Sequence, residues 1–380
     1  MKLNKTFKLL FILMQYPKRI FLKTVQNISP YYRQHELRVI GVMFLFLLLF
    51  WLFFDRLPAE QLFNGNNENS FICDYNQTIF QKHAYLIIAH KLPFQLKLLL
   101  ELLDDSRNDI FLLVDKNSEK LFEKDQLRHS LNHSSLFFVS PIRITWSAQS
   151  QILAELFLLK EATAIGYQYY HLLSGSDLPL RSQDYIHSFF SNYSGDNYVG
   201  YQCKLDKCFR SRLDKYHFFQ EYFGHYRSTF VEQMRWLNMH SLTIQDLLGI
   251  SRLGKDSSFF HKGSNWFSIT HCLAKFILTK GTFIRHYFKY SKCGDEEIIQ
   301  TITAHSPYNS TISPKGIRSI DWKRGTPYVW QNSDYDDLMS SGRLFARKFD
   351  MNVDSNIIMR IYHSVKNADT QPPWNNGADH

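Results

Sequence analysis

Four short apolar runs set the frame within which this chain can fold: Ala84–Ala89 (Ala-Tyr-Leu-Ile-Ile-Ala), Ile110–Val114, Leu136–Val139 and Tyr169–Leu173. Each is brief and continuous rather than alternating, the pattern of a strand buried on both faces. Helical spacings separate them. Pro93 opens one with Leu96, Leu99, Leu100 and Leu103, and a longer one carries Ile152, Leu153, Leu156 and Leu159. Strands alternating with helices predict an α/β domain with a mainly parallel central sheet. Such sheets bind ligands beyond the carboxyl ends of their strands, and His90, Asp115, Trp146 and Asp177 each follow one of the four runs. No Gly-x-Gly-x-x-Gly and no P-loop occurs, which disfavours the common dinucleotide and ATP sites.

The second constraint runs from Gly263 to Gln300. Gly-Ser-Asn-Trp-Phe-Ser-Ile-Thr (263–270) predicts a strand. A helical pattern follows, then Cys-Gly-Asp-Glu-Glu-Ile-Ile-Gln (293–300), an acid cluster at a helix start. Asp295, Glu296 and Glu297 complement a helix dipole, but a first turn needs no such run, so one of them is expected to be a general base. Ser182 is placed to cap a helix through Phe190. The stretch from Tyr198 to Tyr226 mixes Arg210, Arg212, Lys215, Tyr216 and His217, either a grip on a polar acceptor or a solvated helix face. Asp334-Tyr-Asp336 is an Asp-x-Asp that lies after the strands of the sheet. Ser333 with Asp336 reads as a capping box for the helix of Leu338 and Met339, so a cap is expected there and not a metal site.

The net charge is +9, and residues 1–54 hold eight Lys or Arg and one acid, leaving +2 for the remainder. With no basic stripe on the folded part, nucleic acid is not an expected partner. Val39–Phe54, uncharged between Arg38 and Asp55-Arg56, reads as a short membrane anchor or as a buried or interfacial helix. The positive-inside rule places the N-terminus in the cytosol. The expected organisation is a basic tail (1–38), a transmembrane anchor (39–54), a stem (55–83), a catalytic domain (84–365) and a disordered tail (366–380). Sequons stand at Asn76, Asn132, Asn192 and Asn309. Of the five cysteines, Cys203 and Cys208 are either a local disulfide or two separate thiols.

In order along the chain, Ile87-Ile-Ala-His90, Leu113-Val-Asp-Lys-Asn-Ser118, Leu173-Ser-Gly-Ser-Asp-Leu-Pro-Leu180, Gly263-Ser-Asn-Trp-Phe267, Asp295-Glu296, Ile317-Arg-Ser-Ile-Asp-Trp322 and Leu344-Phe-Ala-Arg-Lys-Phe-Asp350 resemble the core-2/I-branching β-1,6-N-acetylglucosaminyltransferase family (glycosyltransferase family 14), which includes the peptide O-xylosyltransferases. The resemblance implies a GT-A-like fold behind an N-terminal anchor helix, a UDP-sugar donor, inversion at the anomeric carbon, no metal or other cofactor, and a glycan or glycoprotein acceptor. It implies His90 and Asp115 as uridine contacts, Glu296 as the base, and Arg318 with Lys348 as the diphosphate pair. Some stretches look closer to the xylosyl branch and others to the N-acetylglucosaminyl branch, so the donor sugar stays open.

The chemistry agrees with these residue types. A carboxylate takes the proton of the attacking hydroxyl, and fixed cations stabilise a leaving diphosphate, Arg as a planar fork and Lys as a point charge. Trp266 and Trp322 offer faces for a sugar, although Trp266 reads equally as core. Asp177 bonds its own turn or reaches the donor. Trp146, Arg212 and Lys215 complete the sugar and acceptor candidates. The expected location is a single-pass type II protein of the Golgi lumen in a eukaryote, or a membrane-associated cytoplasmic enzyme of surface-polysaccharide assembly in a bacterium. The rival is a catalytically silent, membrane-anchored carbohydrate- or nucleotide-binding module, which would not need Glu296.

Overall fold

The computed structural model describes residues 41, 73, 80–204, 210–222 and 228–368. Their order is β1 (Phe80–Ala89), α1 (Pro93–Leu103), β2 (Asn108–Val114), α2 (Lys124–His129), β3 (Ser135–Val139), α3 (Gln149–Ile165), β4 (Tyr167–Ser174), β5 (Asp177–Pro179), α4 (Gln183–Asn192), β6 (Tyr198–Lys204), α5 (Ser211–Asp214), α6 (Thr229–Leu247), β7 (His261–Thr270), α7 (His271–Thr279), α8 (Gly281–Phe288), α9 (Asp295–Ala304), β8 (Arg318–Ile320), α10 (Tyr335–Ser340), β9 (Phe345–Arg347) and α11 (Ser355–Lys366). The main sheet runs β3-β2-β1-β4-β7-β6 and a small one β5-β9-β8. The first four strands are parallel, as expected; β7 is antiparallel to β4, and β6 is antiparallel to β7 and so runs with the first four.

β1 and β2 reach beyond the apolar runs to take in buried polar residues with partners. His83 and Asn108 are 1% and 0% exposed. His83 bonds the ring of His171, and Asn108 bonds Gln183 and the Leu103 carbonyl. One face of the sheet packs Leu96, Leu99 and Leu103 of α1 with Phe190 of α4 and Ile357, Ile358 and Ile361 of α11. The other packs Leu158 and Leu159 of α3 with Leu273 and Ile277 of α7 and Ile298, Ile299 and Ile302 of α9. At about 1.5–3 kcal/mol per fully buried side chain, these two layers dominate the cohesion of the domain.

Chain order reverses at β1: β2 and β3 lie on one side and β4 on the other, so the switch-point crevice opens between the ends of β1 and β4. The small sheet sits there. Buried Gln95 staples it down, donating to the carbonyls of Gly175 and Phe349 and accepting from the Met351 N–H. Because β7 is antiparallel to β4 with His171 opposite Ser268, its first half runs past the carboxyl end of β4, paired there only with β6.

Cys73 and Cys272 form a disulfide with Cα atoms 5.3 Å apart. Cys203 is also disulfide-bonded, while Cys208 lies outside the described residues and Cys293 is a buried free thiol. Apart from Gly41 the expected anchor, 39–54, lies outside the described residues, as does 369–380. Among the described residues no helix is long and apolar enough to cross a membrane. The chain divides into residues 57–235 with 251–380, which carry the sheets, and residues 1–56 with 236–250, of which the C-terminal part of α6 is described.

Candidate active site

Glu296 lies in the first turn of α9, where its carboxylate meets the Arg212 guanidinium at 2.6 Å and the Lys262 ammonium at 3.0 Å. Lys262 belongs to the overhanging half of β7. Helix α9 is pressed onto that strand. Gln300 Nε2 donates to the Ser264 carbonyl at 2.5 Å, and a Cβ at Gly263 would strike the Gly200 carbonyl and come within 2.9 Å of Gln300 Cγ. Only glycine permits that approach.

Behind Glu296 lies a buried acid layer. Asp295 accepts from Gln151 Nε2 at 2.7 Å and Glu155 from Asn265 Nδ2 at 3.1 Å, while both oxygens of Glu297 lack a hydrogen-bond partner. Burial, then the charge of Glu296, pushes Asp295 up to about 7. Burial, first among the causes, raises Glu155 and Glu297 well above the ordinary glutamate value. The sequence suggested three acids serving a dipole or a reaction. In the fold Glu297 points into the core and Glu296, a quarter exposed, is the one left at the surface.

The cations gather on the small sheet. Arg347 pairs with Asp177 across the β5–β9 ladder, Nε to Oδ1 at 3.6 Å, and its guanidinium lies 3.8 Å over the Trp266 ring. Nε and one terminal nitrogen of Arg347 are buried without a hydrogen-bond partner. Asp177 also accepts from the Ser174 N–H, so the turn role and the reach toward this cluster coexist. Arg318 sends one amino group to the Phe267 carbonyl at 2.6 Å and to Ser268 Oγ at 3.0 Å; burial pulls it down to about 10. Lys348 is half-buried and pulled down by burial, then by the Lys91 and Arg347 charges; Lys91 itself pairs with Asp350 at 2.5 Å.

His90 and Asp115 close the adjacent strands β1 and β2, and the Asp115 N–H donates to the Ala89 carbonyl. The Asp115 carboxylate accepts from the Asn117 and Ile144 N–H groups at 3.0 and 3.3 Å, capping a 3₁₀ turn. Trp146 is 53% exposed, and the next residue, Ser147, offers its carbonyl to the Cys293 N–H at 2.9 Å, so Trp146 neighbours the start of α9. Lys215 follows α5, the short helix that carries Arg212, and its carbonyl accepts from Arg252. Trp322 is 57% exposed in the loop after β8.

The Asp-x-Asp reading needs a correction. The capping box is formed by Gln331 and Asp334 at a 3₁₀ turn, not by Ser333 and Asp336, because that turn starts before α10. Asp334 accepts the Gln331 N–H at 2.9 Å and pairs with Arg324 at 2.7 Å, whereas Asp336 is exposed.

Lys262, Arg347 and Lys91 were not singled out from sequence. Each adjoins a residue that was: Gly263, Lys348 and His90. Left-handed backbone was equally invisible. Among the described residues it occurs at three non-glycines, Leu92, Ser147 and Cys293 (φ 57°, 63° and 55°). They flank the loops of His90, Trp146 and Glu296, where strain is expected to concentrate in a working site.

A mainly parallel α/β sheet carrying a carboxylate and desolvated cations at its carboxyl edge fits a GT-A-like glycosyltransferase domain. The chain belongs to the Core-2/I-branching enzyme family, whose model matches residues 83–337. That family is one of glycosyltransferases, which implies a nucleotide-sugar donor and a glycan acceptor. No curated protein matches the chain.

Proposed function

We propose that this protein is an inverting, metal-independent transferase that moves N-acetylglucosamine or xylose from its UDP-sugar to a hydroxyl of a glycan or protein. The observation that carries this reading is the use of β7 as a ruler. Lys262 touches Glu296, and Trp266 to Ser268 touch Arg347 and Arg318. The four steps from Lys262 to Trp266 cover about 13 Å of strand, a gap shortened by long side chains from both ends and bridged by a sugar ring and its diphosphate.

In the reaction the acceptor oxygen attacks the anomeric carbon and passes its proton to the Glu296 carboxylate. The bond from that carbon to the diphosphate breaks, and the electron pair leaves on UDP. Arg212 and Lys262 grip one oxygen of the Glu296 carboxylate and hold it in place. Arg318 and Lys348, joined by Arg347, face the charge that develops on the leaving group in a poorly hydrated layer, where fixed cations act most strongly. Their presence supports operation without a metal, as does the engagement of Asp334 in a cap. His90 and Asp115 are assigned to uridine, and Trp146, Trp266, Asp177, Lys215 and Trp322 to the sugar and acceptor.

The test is Glu296→Gln, assayed with chelator present throughout. Transfer should fall about 10²–10⁴-fold while UDP still binds; unchanged turnover removes Glu296 as the base, and wild-type turnover abolished by chelator alone removes metal independence. The disulfides, like the sequons, support an oxidising lumen. We place the catalytic domain there, behind a type II anchor at 39–54. Protease digestion of residues 55–380 in sealed vesicles would contradict that topology.

A further inference from the structure

Beneath the cationic cluster the sheet interior holds a line of polar groups that the reaction does not use. Ser268 Oγ, 0% exposed, accepts from Arg318 at 3.0 Å and meets His171 Nδ1 at 2.8 Å. His171 Nε2 meets His83 Nδ1 at 3.1 Å, and the His83 ring stacks on His187 at 4.0 Å. His187 continues to Asn108, 2.9 Å away, at the start of β2. Tyr85, Tyr169, Phe190 and Phe345 wall in the two inner imidazoles.

The direction of each bond follows from the ends. A guanidinium only donates, so Ser268 Oγ accepts from Arg318, and its own proton has the His171 ring as its buried acceptor. His171 Nδ1 is therefore bare, its Nε2 carries hydrogen, and that hydrogen goes to a bare Nδ1 on His83. Every link points away from Arg318. Burial holds both imidazoles well below the usual histidine range, and for His171 the Arg318 charge adds to it, so neither becomes a second cation that would break the sequence of donors.

We propose that Ser268, His171 and His83 form a buried hydrogen-bond chain that sets the direction of the Arg318 guanidinium, with Ser268 and His171 as positioning residues for the donor diphosphate. A serine hydroxyl is a free rotor. Tied to His171, it must turn its lone pairs to Arg318 and hold one amino group against β7. The other amino group, Nη1, is then left off that anchor, while the Arg318 Nε is buried without a hydrogen-bond partner. Nothing in transfer chemistry calls for this chain; it serves aim, not reaction.

The inference rests on Arg318 gripping the diphosphate, and the test separates the two ideas. UDP and uridine affinities are measured by calorimetry for Ser268→Ala, His171→Phe, Arg318→Ala and the double variants with Arg318→Ala, each checked for a cooperative melt. Ser268→Ala should weaken UDP about tenfold, the scale of one hydrogen bond to a charged group, and leave uridine unchanged. In the Arg318→Ala background it should add nothing further. Wild-type UDP affinity in Ser268→Ala, or an equal loss with Arg318 already removed, overturns the positioning role while leaving the diphosphate assignment intact. Full UDP affinity in Arg318→Ala overturns the assignment and the inference together. His171→Phe keeps the ring and deletes both nitrogens; if it melts cooperatively and binds UDP as wild type, the chain has no such role.

Discussion

Glu296 shows how much one residue's role depends on its neighbours. Its two adjacent acids stand one step away on either side, yet burial raises Glu297 well above the ordinary glutamate value and pushes Asp295 up to about 7. Asp295 carries a folded value of about 7, raised from an ordinary carboxylate. The native state therefore holds a proton that the unfolded chain has lost, and the contribution to stability present at low pH disappears as pH rises from about 4 through about 7. Asp295→Asn cannot ionise and still accepts from Gln151. It should raise the melting temperature at pH 8 by a few degrees and change it little at pH 4; an equal gain at both would mean that titration of Asp295 is not the cause. The sequence marked these acids because three carboxylates in a row are conspicuous. It could not mark Lys262 or the histidine chain, since partners that far apart in the chain meet only when strands pair.

At the scale of elements the reading was good where periodicity carries information. The four parallel strands, the helix opened by Pro93 and the Ser182 cap all follow from local pattern, and β1 and β2 reach beyond their apolar runs to His83 and Asn108, whose polar groups are paired in the interior. The small β5-β9-β8 sheet was not legible: three-residue strands leave no period, and their pairing is set by tertiary contact. Gly263 tests how tightly the ribbon of β6 and β7 must close. Gly263→Ala should lower stability by about 1–3 kcal/mol through overpacking, read by denaturant unfolding, and reduce transfer because Gln300 and with it the start of α9 must move. Stability and turnover both at wild-type levels would show that the ribbon opens at no cost and that its spacing does not set Glu296.

Across the whole molecule, the α/β class and the family were both readable, because ordered motifs survive where individual contacts do not. The long-range pairing of Cys73 with Cys272 was not, since five cysteines admit many pairings and spacing does not choose among them. A bridge spanning 199 positions restricts the unfolded chain strongly, on the order of 2–5 kcal/mol in the entropic account. It also governs how load travels. The bond fastens residue 73 to the first turn of α7, directly after β7, so tension applied upstream would enter the domain beside that strand instead of through the leading end of β1, which is paired on both sides. A pull on the chain before residue 73 would load a covalent bond first and reach the hydrogen bonds of the ladder only afterwards.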